Sequence, residues 1–194
     1  MRETQPELSQ RLVAMVRESV RLMDALSAVR ELKLDAWCIG AGAVRTLVWD
    51  TLHAFEEPSP LEDMDVVYFD ASAVNIKNDR ALERTLALCL PEIRWEVTNQ
   101  ALVHQWLATH LGQVVKPLQS LEEGVATWPE YATCVGVMLN PDDSISVVAP
   151  HGLDDLFNLQ VRHNPLRASV ETYRQRMSVK RFKERWPKVC VLPA

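Results

Sequence analysis

The run Val66-Val67-Tyr68-Phe69 asks to be buried on a strand, yet it is entered through two carboxylates, Asp63-Met64-Asp65. In an extended chain residues i and i+2 project to one face, roughly 6.5–7 Å apart at about 3.3 Å per residue. Both acids therefore head the strand on the same side. An ionised carboxylate at the end of a buried strand needs a partner, because an unpaired one is costly. A divalent cation is one such partner, and Arg45 or Arg94 is the competing one. Two carboxylates at this spacing suit a pair of cations about 3.5–4 Å apart. Asp63 by itself also fits turn chemistry, accepting a local backbone hydrogen bond.

Some twenty residues earlier stands Ile39-Gly40-Ala41-Gly42-Ala43-Val44-Arg45, an apolar strand end, a glycine turn and a helix start. Free backbone N–H groups at such a turn hold phosphate. Gly40, Ala41 and Gly42 are the candidates, with Arg45 on the first helical turn as a charge-assisted donor. The same turn also reads as a tight strand-to-helix connection, since glycine permits positive φ, and Arg45 as a partner for Asp50. A third acid lies on residues 93–98, which alternate Ile93, Trp95, Val97 against Arg94, Glu96, Thr98 and so read as a half-buried strand. If this strand neighbours the first, Glu96 joins Asp63 and Asp65, and without cations at least one of the three has its pKa raised. The plain alternative is an exposed Glu96 paired with Arg94. Asn99, Gln100 and His104 open the next helix, where they suit hydrogen bonding to a base, sugar or acceptor or to the helix's own terminal backbone groups.

Around this centre the spacing predicts helices over 7–33, 43–55, 78–90, 100–110, 119–127 and 168–186, with a short one starting at Gly152 or Asp154. Strands are predicted over 36–39, 65–69, 93–98, 133–139 and 144–148, the last two joined by the turn Asn140-Pro141-Asp142-Asp143. Helices interleaved with a few strands give an α/β (α+β) fold, a mixed sheet packed on one face. The predicted division is an N-terminal helix at 1–34 packing on a core at 35–160, then a C-terminal helix and tail at 161–194. The apolar stripe of helix 7–33 exceeds two heptads, so it is also a candidate homodimer face.

With 194 residues, 47% hydrophobic and 24% charged, the chain has ordinary globular composition. A net charge of −5 argues against a protein that coats nucleic acid. The basic cluster Arg174, Arg176, Lys180, Arg181, Lys183, Arg185 and Lys188 reads as the solvated face of a helix, or as a contact for an anionic substrate. The four cysteines form no CxxC pair and read as buried free thiols. The six tryptophans are scattered and read as core rather than as a base-stacking platform. With no signal-like N-terminus and no run of about 18 apolar residues, a cytoplasmic protein without a membrane span is expected.

Taken together, these residues resemble the nucleotidyltransferase superfamily that includes polymerase β, the tRNA CCA-adding enzymes and aminoglycoside nucleotidyltransferases. That pattern is an apolar strand, a small-residue turn, a helix, an acid-x-acid pair and a later third acid. It maps onto Ile39-Gly40-Ala41-Gly42, Asp63-Met64-Asp65 and Glu96, and Gly42-Ala43-Val44-Arg45 is similar to the Gly-x-Val-Arg of CCA-adding enzymes. More narrowly, the chain resembles bacterial nucleotidyltransferase-like proteins of undetermined substrate through Gly42–Asp50, Asp63–Asp70, Trp95–Ala101 with His104, Ala149–Phe157 and Trp186-Pro187.

The resemblance implies a nucleotidyltransferase-like mixed sheet with flanking helices and an N-terminal helical extension. It implies transfer of a nucleoside monophosphate from a nucleoside triphosphate to an unknown acceptor, releasing pyrophosphate. Asp63, Asp65 and Glu96 would hold Mg²⁺ or Mn²⁺; Gly40, Ala41, Gly42 and Arg45 would hold the nucleotide; Asn99, Gln100 and His104 would meet substrate. The alternative on the same fold is a non-catalytic nucleotide-binding or protein-interaction module.

Overall fold

In the computed structural model, residues 3–72, 77–105, 107 and 115–194 are described. Trp106 and residues 108–110 of the helix predicted over 100–110 lie outside them; the described part is a 3₁₀ turn at Gln100–Leu102 that continues as α-helix through 103–105. Helix α1 (Gln5–Glu18) opens with the Glu7 carboxylate accepting the Thr4 N–H at 2.7 Å and Pro6 in its first turn. The single helix expected over 7–33 is in fact two, α1 and α2 (Val20–Arg30). Ser19 divides them: its backbone is extended and its hydroxyl accepts the Leu22 N–H at 3.3 Å, ending one helix and capping the next. A serine that bonds local backbone competes with helix continuation in this way.

The strands β1 (Trp37–Gly40), β2 (Met64–Tyr68), β3 (Trp95–Asn99), β4 (Gly136–Leu139) and β5 (Ile145–Val148) form a mixed sheet in the order β3-β2-β1-β4-β5. β1 runs antiparallel to both β2 and β4, and β4 antiparallel to β5, while β2 and β3 are parallel. Helix α3 (Gly42–His53) links β1 to β2, and α4 (Lys77–Cys89) is the crossover that makes β2 and β3 parallel. The β4–β5 hairpin closes as expected at 140–143, with the Asn140 N–H donating to the Ser144 carbonyl at 2.8 Å.

Strand alternation sorts the two faces. Met64, Val66, Tyr68, Trp95 and Val97 join the main core with Leu12, Leu26, Val44 and Trp49 of the helices. The apolar stripe of α1 and α2 is thus largely taken up in packing within the chain. On the opposite face Cys38 and Val67 pack with Leu121 and Val125 of α5 (Leu121–Ala126) in a smaller cluster. That cover is partial, and the remainder of the face carries Asp65 and Glu96. Of the four free cysteines only Cys38 and Cys134 are buried; Cys89 and Cys190 are exposed, which corrects the expectation of four buried thiols.

After the short α6 (Asp154–Phe157), strand β6 (Gln160–Val161) pairs in parallel with β7 (Cys190–Val191), a second small sheet that the sequence does not signal. Between them the expected helix 168–186 is broken into α7 (Val170–Lys180) and α8 (Phe182–Arg185) by left-handed Arg181. The break tucks Phe182 and Trp186 against Trp49, with ring centroids 5.6 and 5.2 Å away. Asp50, on the next residue of α3, accepts the Trp186 indole N–H at 2.6 Å and both the N–H and hydroxyl of Ser59 at 2.7 Å. So the C-terminal segment is fastened to α3, directly behind the glycine turn. Among the described residues no helix is long and apolar enough to cross a membrane.

Candidate active site

Parallel pairing sets Asp65 opposite Glu96. Because side chains alternate with period two, partners in register project to the same face. Asp63, two residues before Asp65, projects there as well. The three acids border one open cleft of about 390 Å³, together with Ala41, Gly42 and Arg45. Glu96 is not engaged by Arg94: among the described residues no ion pair joins them, and Arg94 lies outside the cleft.

The acids feel one another. The Asp65 carboxyl is pushed up to about 6, first by burial, then by the charges of Asp63 and Glu96, with Arg45 and Lys180 pulling the other way. Such a carboxylate is short of positive charge. Among the described residues, however, no three acid, histidine or cysteine side chains stand close enough to share one ion as placed. The acids share a face and a field, without enclosing an ion between them as placed. The donor set still fits magnesium, which takes one or two carboxylates and completes its octahedron with waters and substrate phosphates.

The glycine turn works differently from the simple picture of two permissive glycines. Positive φ falls on Ala41 (φ 48, ψ −116), between them. Gly40 is required by close packing: a Cβ there would stand 2.7 Å from Trp128 Cη2 and 2.8 Å from the Val135 carbonyl oxygen. A Cβ on Gly42 would meet nothing nearer than 3.8 Å. Gly42 leaves the approach to the cleft open, whereas Gly40 does not border it. The Ala41 N–H donates to the Val135 carbonyl at 3.1 Å, so it is already used. The N–H groups of Gly42 and Ala43 follow it in the first turn of α3, where a helix has no internal acceptors, and Ala41 supplies no side-chain cap. These groups carry the positive end of the α3 dipole, and Gly42 borders the cleft.

Arg45 is 5% exposed and lies over an aromatic cage, its guanidinium carbon 4.8 Å from the Phe182 ring centre, 5.4 Å from Trp49 and 5.7 Å from Trp186. Burial holds its pKa down at about 10, with Glu130 opposing and Arg185 and Arg176 adding to the depression. Its Nε has no hydrogen-bond partner. Arg45 is thus a rigid cation at the cleft, and it is not paired with Asp50.

Of the trio read as substrate contacts, only Gln100 lines this cleft; Asn99 lines a second hollow of about 520 Å³ that Glu96 also borders. The Asn99 side chain serves backbone groups: Nδ2 donates to the Asp70 carbonyl at 2.8 Å, while Oδ1 accepts from Asp70 and Ala101 N–H at 3.0 and 3.1 Å. His104 lines a separate hollow with Phe69 and Pro117. Three further residues line the cleft: Trp128, half-buried against the smaller core cluster, and Arg176 and Lys180 of α7, two members of the basic cluster that read either as a solvated face or as a contact for an anionic substrate. The i, i+4 spacing of those two cations was visible in the sequence; which wall they would reach was not.

Strand, glycine turn and helix, an acid-x-acid pair on the adjacent strand and a third acid in register on a parallel one define a protein of nucleotidyl transfer. The model of the Nucleotidyltransferase family matches residues 27–191, and the chain belongs to that family, enzymes of the nucleotidyltransferase kind. The fold is similar to a solved structure described as revealing a CCA-adding enzyme head domain, with TM-score 0.80 and 29% identity over 95% of this chain and 96% of that one. It is also similar to the Thermotoga maritima CCA-adding enzyme complexed with tRNA (TM-score 0.54, 13% identity, 95% of this chain and 42% of that one). A CCA-adding enzyme solved with CTP gives TM-score 0.55 and 13% identity over 95% of this chain and 43% of that one. The chain thus spans about two fifths of those two enzymes' length, and at that identity they speak for the fold alone. Comparison with proteins of curated function gives no significant match.

Proposed function

We propose that this chain transfers a nucleoside monophosphate from a nucleoside triphosphate to an acceptor hydroxyl or phosphate, with release of pyrophosphate. The observation that carries the reading is the register of Asp65 against Glu96, which unites the three acids beside the N-terminus of α3. Mg²⁺ or Mn²⁺, when bound, would neutralise the triphosphate and lower the pKa of the attacking group. Asp63 and Asp65 are the residues to hold it against the phosphates. Glu96, more exposed at the sheet edge, is the carboxylate open to the acceptor side. The Gly42 and Ala43 N–H groups donate to phosphate oxygens, and Arg45, fixed by its cage, lends a charge that need not reorganise during reaction. Catalysis in such a site is mostly positioning and charge stabilisation.

Calorimetric titration with each of the four nucleoside triphosphates in Mg²⁺, for the wild type and Asp65→Asn, tests the donor half of the reading. Metal-dependent binding by the wild type and its loss in the variant are expected; a wild type that binds none of the four refutes it. Pyrophosphate release then screens the acceptor half across tRNA ends, small hydroxyl compounds and protein side chains.

A further inference from the structure

We propose that Arg176 and Lys180, on successive turns of α7, bind the terminal phosphates of the nucleoside triphosphate, with buried Glu130 as the positioning residue that aims Arg176. The inference rests on the nucleotidyl-transfer reading and adds to it a phosphate-binding wall with its own support.

Glu130 has no solvent exposure, and a buried carboxylate is costly unless every lone pair is used. Here both oxygens are used. Its Oε1 accepts Arg176 Nε at 2.6 Å, and its Oε2 accepts Arg176 Nη2 at 3.1 Å and the Thr133 hydroxyl at 3.1 Å. That two-pronged contact fixes one edge of the guanidinium plane. The pair is not sealed in the core, because the Arg176 side chain keeps 32% exposure and borders the cleft. Its remaining edge is therefore presented, in a fixed orientation, to whatever occupies that space.

Lys180 is held differently. It pairs with Glu62 at 2.7 Å, and the Glu62 side chain is 57% exposed. An exposed pair of this kind is weak, so Lys180 is free to exchange Glu62 for a phosphate. Both cations line the same cleft as the start of α3. Arg176 is near enough to Arg45 to depress its pKa, and Arg45 Nη2 is 3.9 Å from where a Gly42 Cβ would stand. The cleft is thus bipolar, with acids that need cations on the strands and cations that need an anion on α7 and α3. A metal-bound triphosphate satisfies both walls, and its terminal phosphates fall at the cationic end. A monophosphate leaves that end empty.

The test is calorimetric titration of the full chain, in Mg²⁺, with inorganic tripolyphosphate, with nucleoside triphosphate and with nucleoside monophosphate. Arg176→Lys keeps the charge but loses the fork, and Lys180→Gln removes the charge. Each is expected to weaken tripolyphosphate and triphosphate binding about tenfold, the size of one hydrogen bond to a charged group, with monophosphate affinity unchanged. Glu130→Gln should shift affinity in the same direction; since that site is buried, the two α7 variants carry the test if it fails to fold. Variants that bind tripolyphosphate as the wild type does, or that weaken mono- and triphosphate alike, overturn the proposal, the second outcome marking a merely structural role. A wild type that binds nucleoside triphosphate but no tripolyphosphate overturns this inference alone. Arg176-dependent binding of tripolyphosphate without any nucleotide binding sustains the cationic wall and removes the nucleotidyl-transfer reading.

Discussion

Replacing Asp65 by Asn removes the charge that the unliganded fold accommodates least well. The carboxyl titrates at about 6 in the folded protein against an ordinary 3.8. Folded protein therefore holds this proton more tightly than unfolded chain does, and the sign follows: stability is lost as pH rises from about 4 through about 6. The interval corresponds to up to about 3 kcal/mol, or about 6–12 °C in Tm for a chain of this length. Below pH 4 Asp65 is protonated in both states, and Asn mimics it. Thermal unfolding followed by circular dichroism, in a chelator, should then show the Asn variant matching the wild type at low pH and exceeding it at pH 8. Subtracting variant from wild type at each pH cancels the titrating groups that do not interact with Asp65. Adding Mg²⁺ at pH 8 should raise the wild-type Tm and leave the variant unmoved. An Asn variant less stable than wild type at pH 8 would mean that Asp65 already has a compensating partner in the fold, and the argument for a cation-hungry site would be wrong.

Other consequences of the geometry are equally open to measurement. Ala41→Gly relieves a positive-φ alanine and should stabilise by about 1 kcal/mol, seen as a higher urea midpoint at constant m; a lower midpoint contradicts the strain. Gly40→Ala pushes a Cβ against Trp128 and the Val135 carbonyl and should cost about 1–3 kcal/mol. Gly42→Ala has room for its methyl and should keep the urea midpoint while weakening nucleotide binding in calorimetry; equal stability losses at both glycines would refute the division of labour. Asp50→Ala strands the Trp186 indole and the Ser59 donors and should destabilise by about 1–3 kcal/mol, with tryptophan emission reporting a loosened C-terminal segment; an unchanged midpoint and spectrum would show that the fastening is dispensable.

How far the sequence could be read depended on the range of the interaction concerned. The placements of β1, α3, β2, α4 and the β4–β5 hairpin followed from apolar periodicity and turn residues within a few positions of each other. Breaks at Ser19 and Arg181 were missed because periodicity continues across them: the first is made by one hydroxyl, the second by the pull of Phe182 and Trp186 toward Trp49. The two-residue strands β6 and β7 carry no periodic signal at all and exist only because residues 190–191 fold back onto residues 160–161.

The same boundary runs through the site. Order and spacing alone placed Asp63 and Asp65 on one strand face and Gly42 at a helix start, because these relations span a turn or less and are governed by backbone stereochemistry. That Glu96 stands in register with Asp65, that Asn99 and His104 turn away from the cleft, that Trp128 fills the space a Gly40 side chain would need, and that Arg176 and Lys180 face the acids were decided by tertiary structure. Each depends on which surfaces pack together once α4 crosses the sheet and α7 folds back over it, and a local pattern holds no information about a partner that only long-range burial selects.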